Sequence, residues 1–390
     1  LKIVDVCAFY APKGGGVRTY VDRKLKAGAA LGHEIVVIAP GEHDHVEERG
    51  PNARIVWLKS QLFPLDFNYR YFNDTDALYA ALDRESPDLV EASSPWKSAS
   101  TIADWPGTAP RALIMHADPL SAYAYRWFEP LAERATIDKA FDRYWRHLLR
   151  LDSKFNMVVS ASTGLSQRLV DGGLRHVVTN PMGVDPGVFS PTFRDAGLRA
   201  RLLAMCDLPE EATLLLGVGR FAPEKRWPML VDAVAAAGTH HPVGMVLAGQ
   251  GRDQKSIQRR IGANPHIRIL APIVDRGELA RLMASADALV HGCEAETFCM
   301  VGAEASASGL PVIGPDQGGA ADHAHASGGL TYASANAQAA AEAITEFSGL
   351  HQQGLAGPRA NVPSPRTMDD HFAELFASYE RLANPSRRAA

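Results

Sequence analysis

The chain has 390 residues, 46% of them hydrophobic and 22% charged, with 40 Lys and Arg against 44 Asp and Glu for a net charge of −4. That balance excludes a disordered chain, a collagen and a disulfide-stapled miniprotein, and nothing in it calls for nucleic acid as a partner. At ~100–200 residues per domain the length fits two domains or three.

In chain order, KIVDVCAF at 2–9 predicts a first strand, and a helical pattern follows from Val17 to Leu31. Short apolar runs at 34–39, 55–58, 88–92, 111–116, 157–162 and 176–180 continue the series. Runs that are apolar without alternation suit strands buried on both faces of a parallel sheet. A second series begins at TLLLGVG, 213–219, with a helix over 228–237. Further strands are predicted at 242–249, 267–272, 288–292 and 310–314, with a helix at 278–286. Two βα series predict two doubly wound domains facing across a crevice, with ligands at the carboxyl ends of the strands. The stretch NPMGVDPGVFSP, 180–191, reads as the hinge, and residues 366–383 as a helix.

Four cysteines, at 7, 206, 293 and 299, form no CxxC and no zinc spacing with histidine, so no metal is expected. The opening reads as a strand rather than a basic region followed by an apolar core, which points to a cytoplasmic protein. No apolar run approaches the ~18 residues of a membrane span.

The chemistry-bearing motifs lie at predicted strand ends. KGGGVRTY, 13–20, places Gly15 and Gly16 before a helix N-terminus, which suits phosphate or sugar oxygens; the alternative is a tight βα turn. Arg220 and Lys225, five apart between a strand and a helix, can clamp one diphosphate; the alternative is a solvated basic loop. Glu296 and Glu304 flank an apolar stretch, and carboxylates accept paired hydrogen bonds from sugar hydroxyls. A helix starting near Phe298 would put Glu296 in the loop before it; the bland reading is a capping acid and an exposed one. His116, after ALIM, stands at a strand end where it can meet a substrate, or serve the fold. Asp74-Thr75-Asp76 reads as a helix cap with first-turn acids rather than a metal-binding DxD.

Taken in order, GGGVRTY, LGHEIVVIAP, the GVD…F…P stretch (Gly183, Val184, Asp185, Phe189, Pro191), GRFAPEK, the two glutamates, ASGLPVIG and Gly318-Gly319 resemble the retaining glycosyltransferases of family 4, with the GT-B fold. The resemblance runs from residue 2 to about 345. It implies a first, acceptor-side domain at 1–182, completed by the helix 366–383, and a second, nucleotide-sugar domain at 183–365. It implies that Arg220 and Lys225 bind the donor diphosphate and that Glu304 binds the ribose. Glu296 and the backbone N–H groups of Phe298, Cys299, Met300 and Val301 would hold donor sugar and phosphate. Gly15, Gly16 and His116 would reach the donor from the first domain. Cys299 stands where the family has glycine, Asp322 where it has glutamate, and His291-Gly292-Cys293 where serine is common.

The resulting expectation is a metal-independent hexosyltransferase that needs no cofactor. It would take a UDP- or GDP-linked sugar as donor and a lipid or lipid-linked saccharide as acceptor. Two other classes remain open at this point: a sugar-nucleotide epimerase on the same fold, and a non-catalytic sugar-binding protein. Ile137, Ala140, Phe141, Tyr144, Trp145, Leu148 and Leu151 fall on one helical face with basic flanks, downstream of the aromatic SAYAYRWFEPL. That pattern fits peripheral contact at the inner face of a membrane, or plain core packing.

Overall fold

The computed structural model describes residues 1–11, 16–63, 69–116 and 134–384. The chain divides into two units, Leu1–Pro181 with Asp369–Ala390, and Met182–Met368.

The first unit is built on β1 (Lys2–Val6), β2 (Glu34–Gly41), β3 (His45–Gly50), β4 (Ala53–Lys59), β7 (Leu89–Ala92), β8 (Arg111–Met115), β9 (Met157–Ser160) and β10 (Val177–Thr179), with a small hairpin of β5 (Gln61–Leu62) and β6 (Arg70–Tyr71). The sheet order is β10-β9-β8-β7-β1-β2-β4-β3. Every neighbouring pair is parallel except β3 with β4. The strands read from apolar runs are buried along nearly their whole length, as a sheet covered on both faces requires. β3, HVEERG, is not among the expected strands: its side chains are mostly exposed and charged, which suits an edge strand and leaves no apolar run to read.

The helix Gly16–Ala30 buries Tyr20, Val21, Lys24 and Leu25. Gly28 lets it lie close on β2, since a Cβ there would stand 2.2 Å from Ile35. The C-terminal helix, expected from residue 366, runs Met368–Ala383 and sinks Phe372, Leu375, Phe376 and Tyr379, an i, i+3, i+4, i+7 stripe. Asp74 caps the helix Thr75–Glu85, accepting from the Ala77 N–H at 2.9 Å.

Of the two readings of residues 137–151, the structure shows core packing for part of the stripe. The helix is interrupted at Phe141, giving Arg134–Ala140 and Asp142–Asp152. Leu148 and Leu151 enter the sheet's core, with Tyr144 and Trp145 packed against it. Arg146 pairs with Asp142, and Arg150 with Asp104. Part of the apolar stripe is thus used in folding the unit, and two of the flanking cations hold carboxylates. SAYAYRWFEPL lies outside the described residues. Among the described residues no helix is long and apolar enough to cross a membrane.

The second unit carries β11 (Thr213–Val218), β12 (Val243–Ala248), β13 (Ile267–Leu270), β14 (Ala288–Val290), β15 (Val312–Pro315) and β16 (Leu330–Tyr332), all parallel, in the order β13-β12-β11-β14-β15-β16. In local numbering this is 3-2-1-4-5-6, the Rossmann order, whose switch point lies between β11 and β14. Trp227, Leu230 and Val234 of the helix Trp227–Ala237 share one core with Ala340, Ile344 and Phe347 of the helix Ala337–Gln352.

The chain enters and leaves this unit at one place. Val184 pairs in parallel with Thr367, the Val184 N–H donating to Arg366 O at 2.9 Å and the Met368 N–H to Val184 O at 3.0 Å. A Cβ on Gly183 would fall 2.2 Å from the Thr367 backbone, so glycine is needed for this approach.

Candidate active site

The carboxyl ends of β11 and β14 bring together two loops that the sequence places some seventy residues apart. After β11, the backbone turns at Gly219, passes Arg220, and makes one 3-10 turn, Pro223–Lys225. Arg226 follows in the left-handed region at φ 50° and opens the next helix. Trp227, wholly buried, donates its indole N–H to Arg220 O at 2.9 Å and so fastens the loop to the core.

After β14, His291 donates its N–H to Ile313 O at 2.9 Å, and its carbonyl accepts from Tyr332 Oη at 2.6 Å. Gly292 then passes so close to the first loop that a Cβ would meet Lys225 O at 2.5 Å. Residues 294–298 fold over Gly318-Gly319. Gly319 donates its N–H to Glu296 O at 2.8 Å, and a Cβ on it would meet the Phe298 carbonyl at 2.4 Å. The double glycine therefore shapes the loop that carries Glu296.

Between these loops Lys225 bonds Glu296, and Arg226 grips Glu294 through a 2.9 Å bond from Nε and a second from the guanidinium. The Lys225 and Glu296 side chains are 16% and 25% exposed. Burial works against charge on both; each other's charge outweighs it, so Glu296 titrates below and Lys225 above its ordinary range. Arg220 is set differently. Its side chain is 74% exposed and meets Glu224, four residues on in the loop, a pair weak enough to exchange for a ligand.

The helix expected from Phe298 starts at Met300. Cys299 stands in the left-handed region, φ 63°, where the resemblance calls for glycine, and that backbone cannot continue a helix backwards. A helix leaves its first N–H groups without a carbonyl one turn back, and here those belong to Met300 and Val301. Glu304, one turn further on, is buried and accepts from Arg276 at 2.8 Å. Arg276 also reaches Asp185 at 3.2 Å and lies over the Phe189 ring at 4.8 Å. Sequence reasoning missed Arg226 and Arg276. Arg226 sits in the motif that supplied Lys225, but its role shows only in the turn; Arg276, 28 positions before Glu304, carries no local signal.

His291 and Cys293, noted in the sequence only as departures, also face Glu296. One donor atom from each of the three lies within 4.8 Å of the others. Burial, with Lys225 nearby, pushes His291 down to about 4; burial, with Glu296 nearby, pushes Cys293 up to about 12. Burial also raises Cys299 well above its usual value. Neither thiol is an ionised nucleophile at neutral pH.

In the first unit, His116 follows β8 and sets its ring edge-on to Tyr20 at 4.7 Å. Burial, with Lys24 and His371 adding to it, pushes His116 down to about 3, so it stays neutral. Behind it Lys24 is wholly buried between Asp5 and Glu91. Tyr379 donates to Glu91 at 2.6 Å, and His371 meets the Tyr20 hydroxyl at 2.9 Å. The Nδ1–H of His371 donates to Pro181 O at 3.0 Å, leaving Nε2 to accept from Tyr20. Gly16 begins its helix with open space where a Cβ would stand; Gly15 lies outside the described residues.

Residues 14–188 match the family model described as Glycosyltransferase Family 4, and residues 205–352 that of Glycosyl transferases group 1. A GDP-mannose-dependent alpha-mannosyltransferase of Mycobacterium tuberculosis is 30% identical over 333 residues, covering 83% of this chain and 81% of the relative. A GDP-mannose-dependent alpha-(1-6)-phosphatidylinositol dimannoside mannosyltransferase of the same species is 28% identical over 319 residues, 80% of this chain and 79% of its own. Among solved structures, the sucrose-phosphate synthase of Thermosynechococcus elongatus superposes with a TM-score of 0.69 at 20% identity, over 99% of this chain and 97% of the other; at that identity the likeness speaks for the fold. With both halves matched by family models and four-fifths of a relative covered, the chain belongs to glycosyltransferase family 4 and has the GT-B fold.

Proposed function

We propose that this glycosyltransferase moves mannose from GDP-mannose to a hydroxyl of a glycolipid, with retention at the anomeric carbon. The observation that carries the reading is the paired Lys225 and Glu296 at the switch point of the second sheet, in a chain similar along most of its length to two GDP-mannose-dependent enzymes. Arg220 swings from Glu224 to the diphosphate, and Lys225 moves between Glu296 and the same phosphates. The N–H groups of Met300 and Val301 meet a phosphate oxygen. Glu304, oriented by Arg276, accepts from the ribose hydroxyls, and Glu296 accepts from hydroxyls of the sugar. From the first unit, Gly15 and Gly16 approach the donor, and neutral His116 hydrogen-bonds the sugar.

In the reaction the bond from the anomeric carbon to the diphosphate oxygen breaks while the acceptor oxygen attacks from the same face. The leaving phosphate oxygen takes the acceptor's proton. Negative charge grows on the diphosphate as it departs, and one fixed donor at such a position contributes ~3–4 kcal/mol. The cations named here supply that charge without calling on a metal. The acceptor class follows the name of the phosphatidylinositol dimannoside enzyme. Incubation with GDP-mannose, GDP-glucose, UDP-glucose or UDP-galactose and a phosphatidylinositol mannoside tests the reading. Mannolipid and free GDP are the expected products; transfer from a UDP-sugar alone, an epimerised donor, or binding without turnover would overturn it.

A further inference from the structure

Three side chains that the proposed transfer does not need as a set, His291, Cys293 and Glu296, bring donor atoms together beside Lys225. His291 is 1% exposed, and its Nε2 has no hydrogen-bond partner while standing 3.7 Å from Glu296 Oε1. A buried ring nitrogen left without a partner is costly, and such orphans mark a missing ligand, water or ion. Cys293, also buried, brings a thiol to the same place, and the ring nitrogen, sulfur and carboxylate oxygen lie within 4.8 Å of one another. Zinc-type bonds of ~2.0–2.3 Å in a tetrahedron put ligand atoms about 3.5 Å apart. The His291–Glu296 separation of 3.7 Å is already close to that, and no separation exceeds 4.8 Å, so binding calls for side-chain rotation of about an ångström at most. The backbone beneath them is fixed: Tyr332 holds the His291 carbonyl, Gly292 presses on Lys225 O, and Gly319 holds the Glu296 carbonyl.

We propose that His291, Cys293 and Glu296 form a site for a thiophilic divalent cation such as Zn2+ or Cd2+, and that the cation shuts the enzyme by taking Glu296 away from Lys225. Imidazole, thiol and carboxylate together select zinc-like ions over Mg2+ and Ca2+, which prefer all-oxygen sets. On binding, the Cys293 S–H proton leaves to solvent, a metal–sulfur bond forms, and no electron changes hands. Glu296 rotates from the ammonium to the cation, and a water completes the fourth position. Lys225 then faces a cation rather than a carboxylate and is driven from its place. Free metal thus competes with sugar nucleotide. The binding half stands on geometry alone; the inhibition half rests on the function proposed above.

The test uses the full chain freed of metal. Titration with Co2+ is followed by absorption for a thiolate-to-metal charge-transfer band, then Zn2+ is added to displace it. One Co2+ per chain with such a band is expected in the wild type, and in Cys293→Ala a lost band with at least tenfold weaker Zn2+ binding. His291→Gln should keep the thiol yet also bind at least tenfold more weakly. No band in the wild type, or the same band in Cys293→Ala, overturns the site. In transfer assays micromolar Zn2+ should inhibit the wild type, EDTA should restore it, and Cys293→Ala should resist. Binding without inhibition of an active enzyme overturns the shut-off. A chain inactive with every donor leaves the spectroscopic result to decide the site and counts against the proposed function instead.

Discussion

Replacing Lys225 by Met keeps the length of the side chain and removes its charge, which turns the Lys225–Glu296 pair into a lone carboxylate in a mostly buried loop. Removing one partner of a buried pair costs ~3–5 kcal/mol, and about a quarter of the Glu296 side chain still reaches water, so about 2–3 kcal/mol is expected near neutral pH. The loss depends on pH, and its direction is fixed. In the wild type Glu296 titrates below its ordinary value, so the pair's stabilisation is present above the unfolded value and fades as pH falls through the folded one. Without Lys225, burial is left in charge and raises the carboxyl above its unfolded value. The variant's deficit therefore grows as pH climbs from the wild type's depressed value, through the unfolded one, to the variant's raised one, by ~1.4 kcal/mol for each pH unit between them, and shrinks when the carboxyl is protonated. Urea denaturation at about pH 7.5 and about pH 4.5 should give a deficit of ~2–3 kcal/mol at the first and one smaller by ~1 kcal/mol or more at the second. Adding Glu296→Gln removes the stranded charge and should return at least half of the loss. Turnover should stay at least ~100-fold down in both variants, because the diphosphate still lacks its cation. A double variant no more stable than Lys225→Met, or an equal deficit at both pH values, would refute the argument.

Arg220→Ala should lower kcat/KM by ~100-fold or more with under ~0.5 kcal/mol of stability lost, since its bond to Glu224 is an exposed surface pair; a fall in Tm that tracks the fall in rate would contradict this. Gly319→Ala should destabilise by ~2 kcal/mol or more and raise the KM for donor, because its methyl would press on the Phe298 carbonyl; a neutral phenotype in both readouts counts against the loop geometry. His116 is held neutral with its folded value, about 3, below the unfolded one, so it adds stability that is lost as pH falls from about 6.5. His116→Gln should accordingly lose about 3 kcal/mol less than wild type between about pH 7 and about pH 4.5, measured by urea midpoint. EDTA should leave the transfer rate of metal-free protein unchanged; a strict need for Mg2+ or Mn2+ would remove the proposed role of Arg220 and Lys225 as the sole diphosphate charges.

The parallel strands were legible because burial on both faces writes each of them as an apolar run, as in EIVVIA or TLLLGVG. β3 and β16 were not: one is an exposed charged edge, the other, LTY, buries only its tyrosine and leaves no apolar run to read. The loops carrying Arg220, Lys225 and Glu296 were visible by composition, yet the Lys225–Glu296 bond was not, since it joins positions 71 apart through β-sheet topology rather than spacing. Cys299 showed as a missing glycine, and its left-handed backbone explains why the following helix begins later than expected. The amphipathic stripe at 137–151 left two readings open because a face that packs a core and a face that meets lipid share one periodicity.

The Val184–Thr367 bridge makes the second unit an insertion within the first. A ribosome therefore finishes the whole of 182–368 before it makes the helix that buries Phe372, Phe376 and Tyr379, which meet Tyr20, His33 and Glu91 of the first unit. Those three side chains hold about 5–9 kcal/mol of apolar burial at most, a sum comparable to the net stability of an entire domain. During synthesis the order of completion is thus reversed: the later-coded unit can close on its own while the first waits, with Lys24, Asp5 and Glu91 lacking the Tyr379 hydroxyl that covers them. A nascent chain stalled before residue 369 would carry a folded centre and an unfinished front, and limited proteolysis of such stalled chains should cut within 1–181 while sparing 182–368.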